Sequence, residues 1–401
     1  MADIGVLRPP RTVLFASGIA ASPTLPALAS TYGRRVVVCT DPVLASGPHL
    51  PRICDSLAAA DIDVTVVDAA VPELPLASVM DAIDRVRELR PDCLVGFGGG
   101  SSLDMTKLVA LGLSTDEPID SFYGEGKVTR PTLPVIAVPT TAGTGSEVTP
   151  VAVLSDPRLE MKVGVSSPHL VPHAAVCDPD VTLGAPRSVT AHAGIDALAH
   201  AIEALTAIRL HGWAQAADRM FVGQNVLSSC FGLRAVQRIA GALEEALEDQ
   251  VPARSAMLEG SLCAGLAFAT GGTAAAHALQ YPLGARTSTP HGLGVGLLLP
   301  YVMRFNSPVR GPELIEIASA MGCSQKTPEA AIEAVARLGQ RVGLPGSLAE
   351  LGVSLGDLRE MAERALGITR LVANNPRPLD VDGALEILTA AWYGDLSRVA
   401  V

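Results

Sequence analysis

CLVGFGGGSSLDMTK, residues 93–107, is the stretch on which the fold turns. Residues 93–97 form an uncharged apolar run of strand length, Gly98-Gly99-Gly100 interrupts it, and Ser101-Ser102 open a helical segment that includes Asp104 and Lys107. Glycines at such a turn let backbone N–H groups approach a diphosphate closely, and the helix N-terminus adds positive potential. The run is not GxGxxG, so a plain tight turn stays open as a reading of the glycines alone.

Outward from this turn, the first half alternates short β-branched runs with helical spacing, the signature of βαβ units. Strands are expected at 12–16, 35–39, 63–67, 93–97 and 135–138, with helices at 22–31, 42–59 and 76–88. From about Pro186 the texture becomes Ala/Leu-rich, and helices are expected at 194–206, 212–247, 253–269, 327–342 and 380–395. The fold class is therefore an α/β nucleotide-binding domain with a parallel sheet, residues 1–185, followed by an all-α domain, residues 186–401. Two domains also suit the length of 401 residues.

Two further features fit a dinucleotide. Strand 35–39 ends at Thr40-Asp41, about 20 residues after the Gly18 turn. A carboxylate there accepts hydrogen bonds from ribose hydroxyls and repels a 2′-phosphate, which favours NAD over NADP. The other reading is that Asp41, before Pro42, caps the next helix. PTTAGTGSEVTP, residues 139–150, places Thr140, Thr141, Thr144 and Ser146 among glycines, a composition suited to a cofactor's diphosphate or ribose and also to simple flexibility.

The net charge of −11 opposes a phosphate backbone, and 3% aromatic residues leave few platforms for bases, so nucleic acid is not an expected partner. Seven scattered cysteines without a CxxC pair read as thiols of a reducing compartment. Acidic Asp3 and the prolines after it stand where a signal peptide needs basic and apolar residues. The apolar run 292–303 contains Pro300 and is too short to span a bilayer. A cytoplasmic protein without a membrane partner is the expectation.

In GIDALAHAIE, residues 194–203, Asp196 and His200 stand four apart on one face of an apolar helix, within reach of one cation. Buried charge must be paired or coordinated. His277 in TAAAHALQ and His291 in PHGLG also sit among small apolar residues, each readable as a core histidine. With Asp196 and His200 they make an O/N₃ set suited to Fe²⁺ or Zn²⁺. His49, His169, His173, His192 and His211 lack this context.

Taken in order, GGGSSLDMTK (98–107), PTTAGTGSEVTP (139–150), DALAHAIEA (196–204), HALQYPLGA (277–285) and PHG (290–292) resemble the iron-containing, or group III, alcohol dehydrogenases, whose fold is shared with dehydroquinate synthase. Cys177-Asp178-Pro179 and Asn374-Asn375-Pro376-Arg377-Pro378 extend the match over nearly the whole chain. The resemblance implies a metal-dependent NAD(H)-linked alcohol dehydrogenase or aldehyde reductase acting on a small alcohol or aldehyde, with Fe²⁺ or Zn²⁺ and a dimer favoured. By position it assigns the metal to Asp196, His200, His277 and His291. The ribose falls to Asp41, the diphosphate to Gly98, Gly99, Gly100, Ser101 and Ser102, and the cofactor loop to Thr140, Thr141 and Thr144, with Asp104 and Ser146 counted as cofactor-binding beside them. Lys162 falls at the nicotinamide end.

One departure concerns the histidine that the family usually carries four residues after the third ligand. Here that position is Tyr281, whose hydroxyl relays a proton less readily than an imidazole because its ordinary pKa is near 10; Tyr281 and Lys162 are the candidate catalytic residues. Arg286 stands where relatives often carry aromatic residues and a histidine, and reads either as a selector of anionic substrates or as a solvated loop arginine. The alternatives to a dehydrogenase are an NAD- and metal-dependent lyase or polyol-phosphate dehydrogenase of the same fold, and a non-catalytic NAD-binding protein.

Overall fold

The computed structural model describes residues 4–159, 161–217 and 219–400, so Asp3 lies outside the described residues. The chain divides into Arg8–Ala185 and a unit made of Pro186–Val401 together with residues 4–7. Residues 4–7 join the helical unit, rather than the α/β unit they precede, because Val6 N–H donates to Asn225 Oδ1 and Val6 C=O accepts from Thr270 Oγ1.

In the α/β unit, β1 (Thr12–Phe15), β2 (Arg35–Cys39), β3 (Asp63–Val67), β4 (Cys93–Gly98), β6 (Val135–Pro139) and β9 (Ala174–Cys177) form one sheet in the order β1-β9-β6-β4-β2-β3. Every pairing in it is parallel. Strands β4 and β6 are buried throughout because packing covers both faces. Their neighbour β2 shows the alternation: Val37 and Cys39 enter one core with Leu94, while Val36 and Val38 enter another with Cys93 and Val95. Helices α1 (Thr24–Ser30), α2 (Pro42–Ala45), α3 (His49–Ala58), α4 (Leu76–Leu89) and α5 (Gly100–Gly112) accompany these strands. The single helix expected over 42–59 is two, interrupted at Ser46-Gly47-Pro48.

A second, small sheet was not anticipated: β7 (Val151–Asp156) pairs antiparallel with β8 (Met161–Ser166), and β5 (Gly124–Glu125) pairs with β8. In the main sheet the chain steps from β2 to β3 in one direction, and β4 then continues on the other side of β2. The carboxyl ends of β2 and β4 thus flank a topological switch point, where open parallel sheets bind ligands.

The helical unit contains α6 (Arg187–Thr206), α7 (Trp213–Ala216), α8 (Val226–Ala246), α9 (Val251–Gly271), α10 (Ala275–Thr287), α11 (His291–Ala320), α12 (Pro328–Arg341), α13 (Leu358–Leu366), α14 (Thr369–Asn374) and α15 (Val381–Tyr393). The continuous helix expected over 212–247 is corrected to α7 and α8. Gly223 adopts φ 73°, and Asn225 starts α8 with a capping box that Ser228 completes. Helices α9 and α10 meet at an angle of 102°, across a break where Gly272 has φ 74°. Among the described residues no single helix is long and apolar enough to cross a membrane.

Candidate metal centre and nucleotide loops

Helix α6 carries Asp196 and His200 one turn apart, both buried. His277 lies in the first turn of α10, and His291 is the first residue of α11. Three imidazoles surround one carboxylate oxygen: Asp196 Oδ1 is 3.6 Å from His277 Nε2, 3.8 Å from His291 Nε2 and 3.9 Å from His200 Nε2. These distances are too long for hydrogen bonds. They approach the spacing of about 3.4 Å expected for tetrahedral ligands with bonds of about 2.1 Å to one ion.

The donor set fits a cation on a second ground. Asp196 Oδ1 and His277 Nε2 are buried and have no hydrogen-bond partner, a costly arrangement unless something positive stands between them. The ligand atoms of Asp196, His277 and His291 all lie within 4.8 Å of one another. His200 joins them through Asp196, its ring stacked on His277 at 4.8 Å and on Phe268 at 4.2 Å. Burial pushes the Asp196 carboxyl up, but the His200 and His291 charges outweigh it and hold it well below the usual range. Burial would lower His277, yet the Glu203 and Asp196 carboxylates raise it to about 9, an index of the negative field here.

Two residues that the sequence reading did not single out complete this centre. Glu203 Oε2 lies 2.6 Å from His277 Nδ1, and Gln280 Oε1 lies 2.7 Å from His291 Nδ1. Both outer partners are of the type that fixes ligand orientation. Glu203 stands one turn beyond His200 in a helix whose ligand face was already recognised, a periodicity from which it was legible in principle. Tyr281 is half-buried in α10, its ring 6.1 Å from that of His291. Arg286 is held by Asp357, its Nε donating at 2.8 Å and its Nη2 at 2.5 Å from the carboxylate.

At the switch point of the α/β unit, Gly99 is the N-cap of α5 and offers no side chain to its first N–H groups. A Cβ on Gly100 would come within 2.6 Å of Thr144 Cγ2, and one on Gly99 within 3.3 Å of Thr141, so these glycines let the two loops touch. Gly98 has φ 153°, and a Cβ there would meet Ser102 Oγ at 2.4 Å. Thr140 N–H donates to Gly98 C=O, joining the loop after β6 to the end of β4.

Asp41 Oδ1 accepts from Val43 N–H and Leu44 N–H, which realises the capping alternative, while its Oδ2 is 3.5 Å from Ser102 Oγ. Asp104 and Ser146 are committed to each other, Ser146 Oγ donating at 2.6 Å, and Asp104 Oδ2 also accepts from Val153 N–H. Lys107 Nζ donates to Thr149 C=O and Val151 C=O. Asp104 and Lys107 thus clamp the loop to α5. Lys162 Nζ is 2.6 Å from Glu73 Oε2.

Residues 10–179 match the family model "Iron-containing alcohol dehydrogenase", and residues 190–392 match "Fe-containing alcohol dehydrogenase family, C-terminal". Lactaldehyde reductase of Escherichia coli (strain K12) is 31% identical over 90% of this chain and 92% of its own length. Long-chain-alcohol dehydrogenase 1 of Geobacillus thermodenitrificans (strain NG80-2) is 32% identical over 90% of this chain and 91% of its own. The solved alcohol dehydrogenase from Oenococcus oeni superposes with a TM-score of 0.89 at 27% identity, covering 97% of this chain and 100% of that one.

Proposed function

This chain belongs to the iron-containing alcohol dehydrogenase family and is a metal-dependent alcohol dehydrogenase or aldehyde reductase, and from that premise we propose that it uses NAD(H) on a small alcohol or aldehyde. The observation that carries the reading is the buried Asp196 oxygen ringed by three imidazole nitrogens. Such an O/N₃ set suits Fe²⁺, with Zn²⁺ as the alternative. When bound, the ion supplies a Lewis acid for the substrate oxygen, and the nicotinamide supplies a hydride acceptor or donor.

The chain's own residues supply position and charge. Asp196, His200, His277 and His291 hold the ion and bring a single negative charge, so the centre stays cationic toward the substrate. The α5 N-terminus at Gly98–Ser102 and the Thr140, Thr141 and Thr144 loop cradle the diphosphate, with Asp104 and Ser146 bracing that loop. Asp41 offers Oδ2 to the ribose while Oδ1 caps α2. Lys162 is assigned to the nicotinamide end. Tyr281 is assigned to pass the alcohol proton toward water, a slow relay near neutral pH because a phenol ordinarily titrates near 10.

Arg286, the candidate selector of anionic substrates, is paired with Asp357, and Lys162 is paired with Glu73. That favours a neutral substrate over the phosphorylated ones of related lyases and polyol-phosphate dehydrogenases. All seven cysteines are free thiols, which supports a cytoplasmic setting, and a homodimer is carried over from the family resemblance.

The test is an alcohol and aldehyde panel with NAD(H) and NADP(H), on protein reconstituted separately with Fe²⁺ and with Zn²⁺. Turnover of a neutral substrate with NAD(H), lost on chelation and restored by one ion, is expected. Full turnover in metal-stripped protein, or a preference for NADP(H), would sink the corresponding part.

A further inference from the structure

Helix α6 carries Asp196, His200 and Glu203 at i, i+4 and i+7, so one face supplies two ligands and a second carboxylate. Glu203 is only 2% exposed, and it reaches the first turn of α10. Its Oε2 accepts from Ala274 N–H at 2.8 Å and faces His277 Nδ1 at 2.6 Å, while Oε1 accepts from Ala276 N–H at 2.7 Å. Helix α10 needs this acceptor because its N-cap, Ala274, has no side-chain oxygen to offer.

An ionised carboxylate only accepts hydrogen bonds, so the nitrogen facing it must be the donor. Once an ion takes the place of any proton on Nε2, a His277 ring protonated at Nδ1 turns the Nε2 lone pair to that ion, and Nε2 is the buried nitrogen without a hydrogen-bond partner beside Asp196. We propose that Glu203 is a positioning residue that holds His277 in the Nδ1–H tautomer with Nε2 open to the ion. This rests on the metal reading above. Gln280 places a neutral amide oxygen behind His291, whereas Glu203 places a full negative charge behind His277 and so raises its ligand strength.

A glutamine at this position puts an NH₂ group where one oxygen stood. Turned toward His277, that group donates to Nδ1 and forces the proton to Nε2, the wrong tautomer for ligation. Turned the other way, it opposes Ala276 N–H. Glu203→Gln and Glu203→Ala are therefore expected to weaken metal binding by roughly 10–100-fold, measured by chelator competition with Zn²⁺, while the dissociation constant for NADH changes little.

Wild-type protein that binds neither Zn²⁺ nor Fe²⁺ refutes the metal reading itself. Wild-type binding together with equal affinity in folded Glu203→Gln refutes only the role of Glu203. Spectra of ¹⁵N-histidine-labelled, zinc-loaded wild type decide the matter even where neither variant folds. A proton on His277 Nδ1, protected from exchange with water, supports the proposal, and an unprotonated or freely exchanging Nδ1 overturns it.

Discussion

Asp196 is 4% exposed and its Oδ1 has no hydrogen bond, so its charge is justified only by the cation it helps to bind. Asp196→Asn keeps the volume and removes the charge. It should lower metal affinity by more than the roughly 100-fold typical of an outer-shell change while the variant stays folded, as read by chelator competition beside circular dichroism. Tyr281 belongs to a different function. Tyr281→Phe should leave metal affinity unchanged and lower kcat by roughly 10–100-fold if the hydroxyl relays a proton; an unchanged kcat removes it from the mechanism. A third residue, Glu147, is buried in the cofactor loop with Oε1 lacking a hydrogen bond, and burial pushes its carboxyl up to about 7 against the pull of Lys107. Between its ordinary 4.5 and about 7 the folded protein holds a proton that the unfolded chain has released, so stability falls as pH rises through that window. Glu147→Gln should remove this fall, on the order of 1–3 kcal/mol, in urea unfolding compared at pH 5 and pH 7.5. Lys107, lowered to about 8 by burial, acts in a higher window and with the opposite slope, so the two remain separable.

At the scale of elements, the centre depends on how closely α11 approaches α6. A Cβ on Gly292 would stand 2.1 Å from the His192 carbonyl oxygen and 2.9 Å from Asp196 Cβ, both on α6. Gly292→Ala must therefore push the start of α11, and His291 with it, away from Asp196. A stability loss of about 1–3 kcal/mol together with weaker metal binding is expected, and tight binding in a folded Gly292→Ala protein would contradict this account. The same scale shows what could be read in advance. Strands β2 and β3 have the bounds expected from their β-branched runs. Strands β7, β8 and β9 escaped because VAVLSD and MKVGVS mix polar residues into short runs and AAVC is only four residues long. The four proposed ligands were legible as an apolar i, i+4 pair and two histidines in small-residue contexts. Their convergence was not, because Asp196 meets His277 and His291 only after α6, α10 and α11 pack. Nor was the clamp formed by Asp104 and Lys107, which hold a loop more than 40 positions away through hydrogen bonds that no local pattern announces.

For the molecule as a whole, the two sites draw on different units. Asp196, His200, Glu203, His277 and His291 all come from Pro186–Val401, and Asp41, Gly98–Ser102, Thr140, Thr141 and Thr144 all come from Arg8–Ala185. A ligand stabilises the structure that forms its site, by about 2.7 kcal/mol when present at 100 times its dissociation constant. Metal should accordingly slow amide exchange in α6, the first turn of α10 and the start of α11, and NADH should slow it at the ends of β2 and β4 and the start of α5. Hydrogen exchange on apoprotein, metal-loaded protein and protein with NADH alone distinguishes these patterns. If removing the metal loosened the β2 and β4 ends as much as α6, the energies of the two sites would be shared across the chain. A variant weakened at Asp196 or Glu203 would then also bind NADH poorly, and the separation of metal affinity from cofactor affinity expected for Glu203→Gln would disappear.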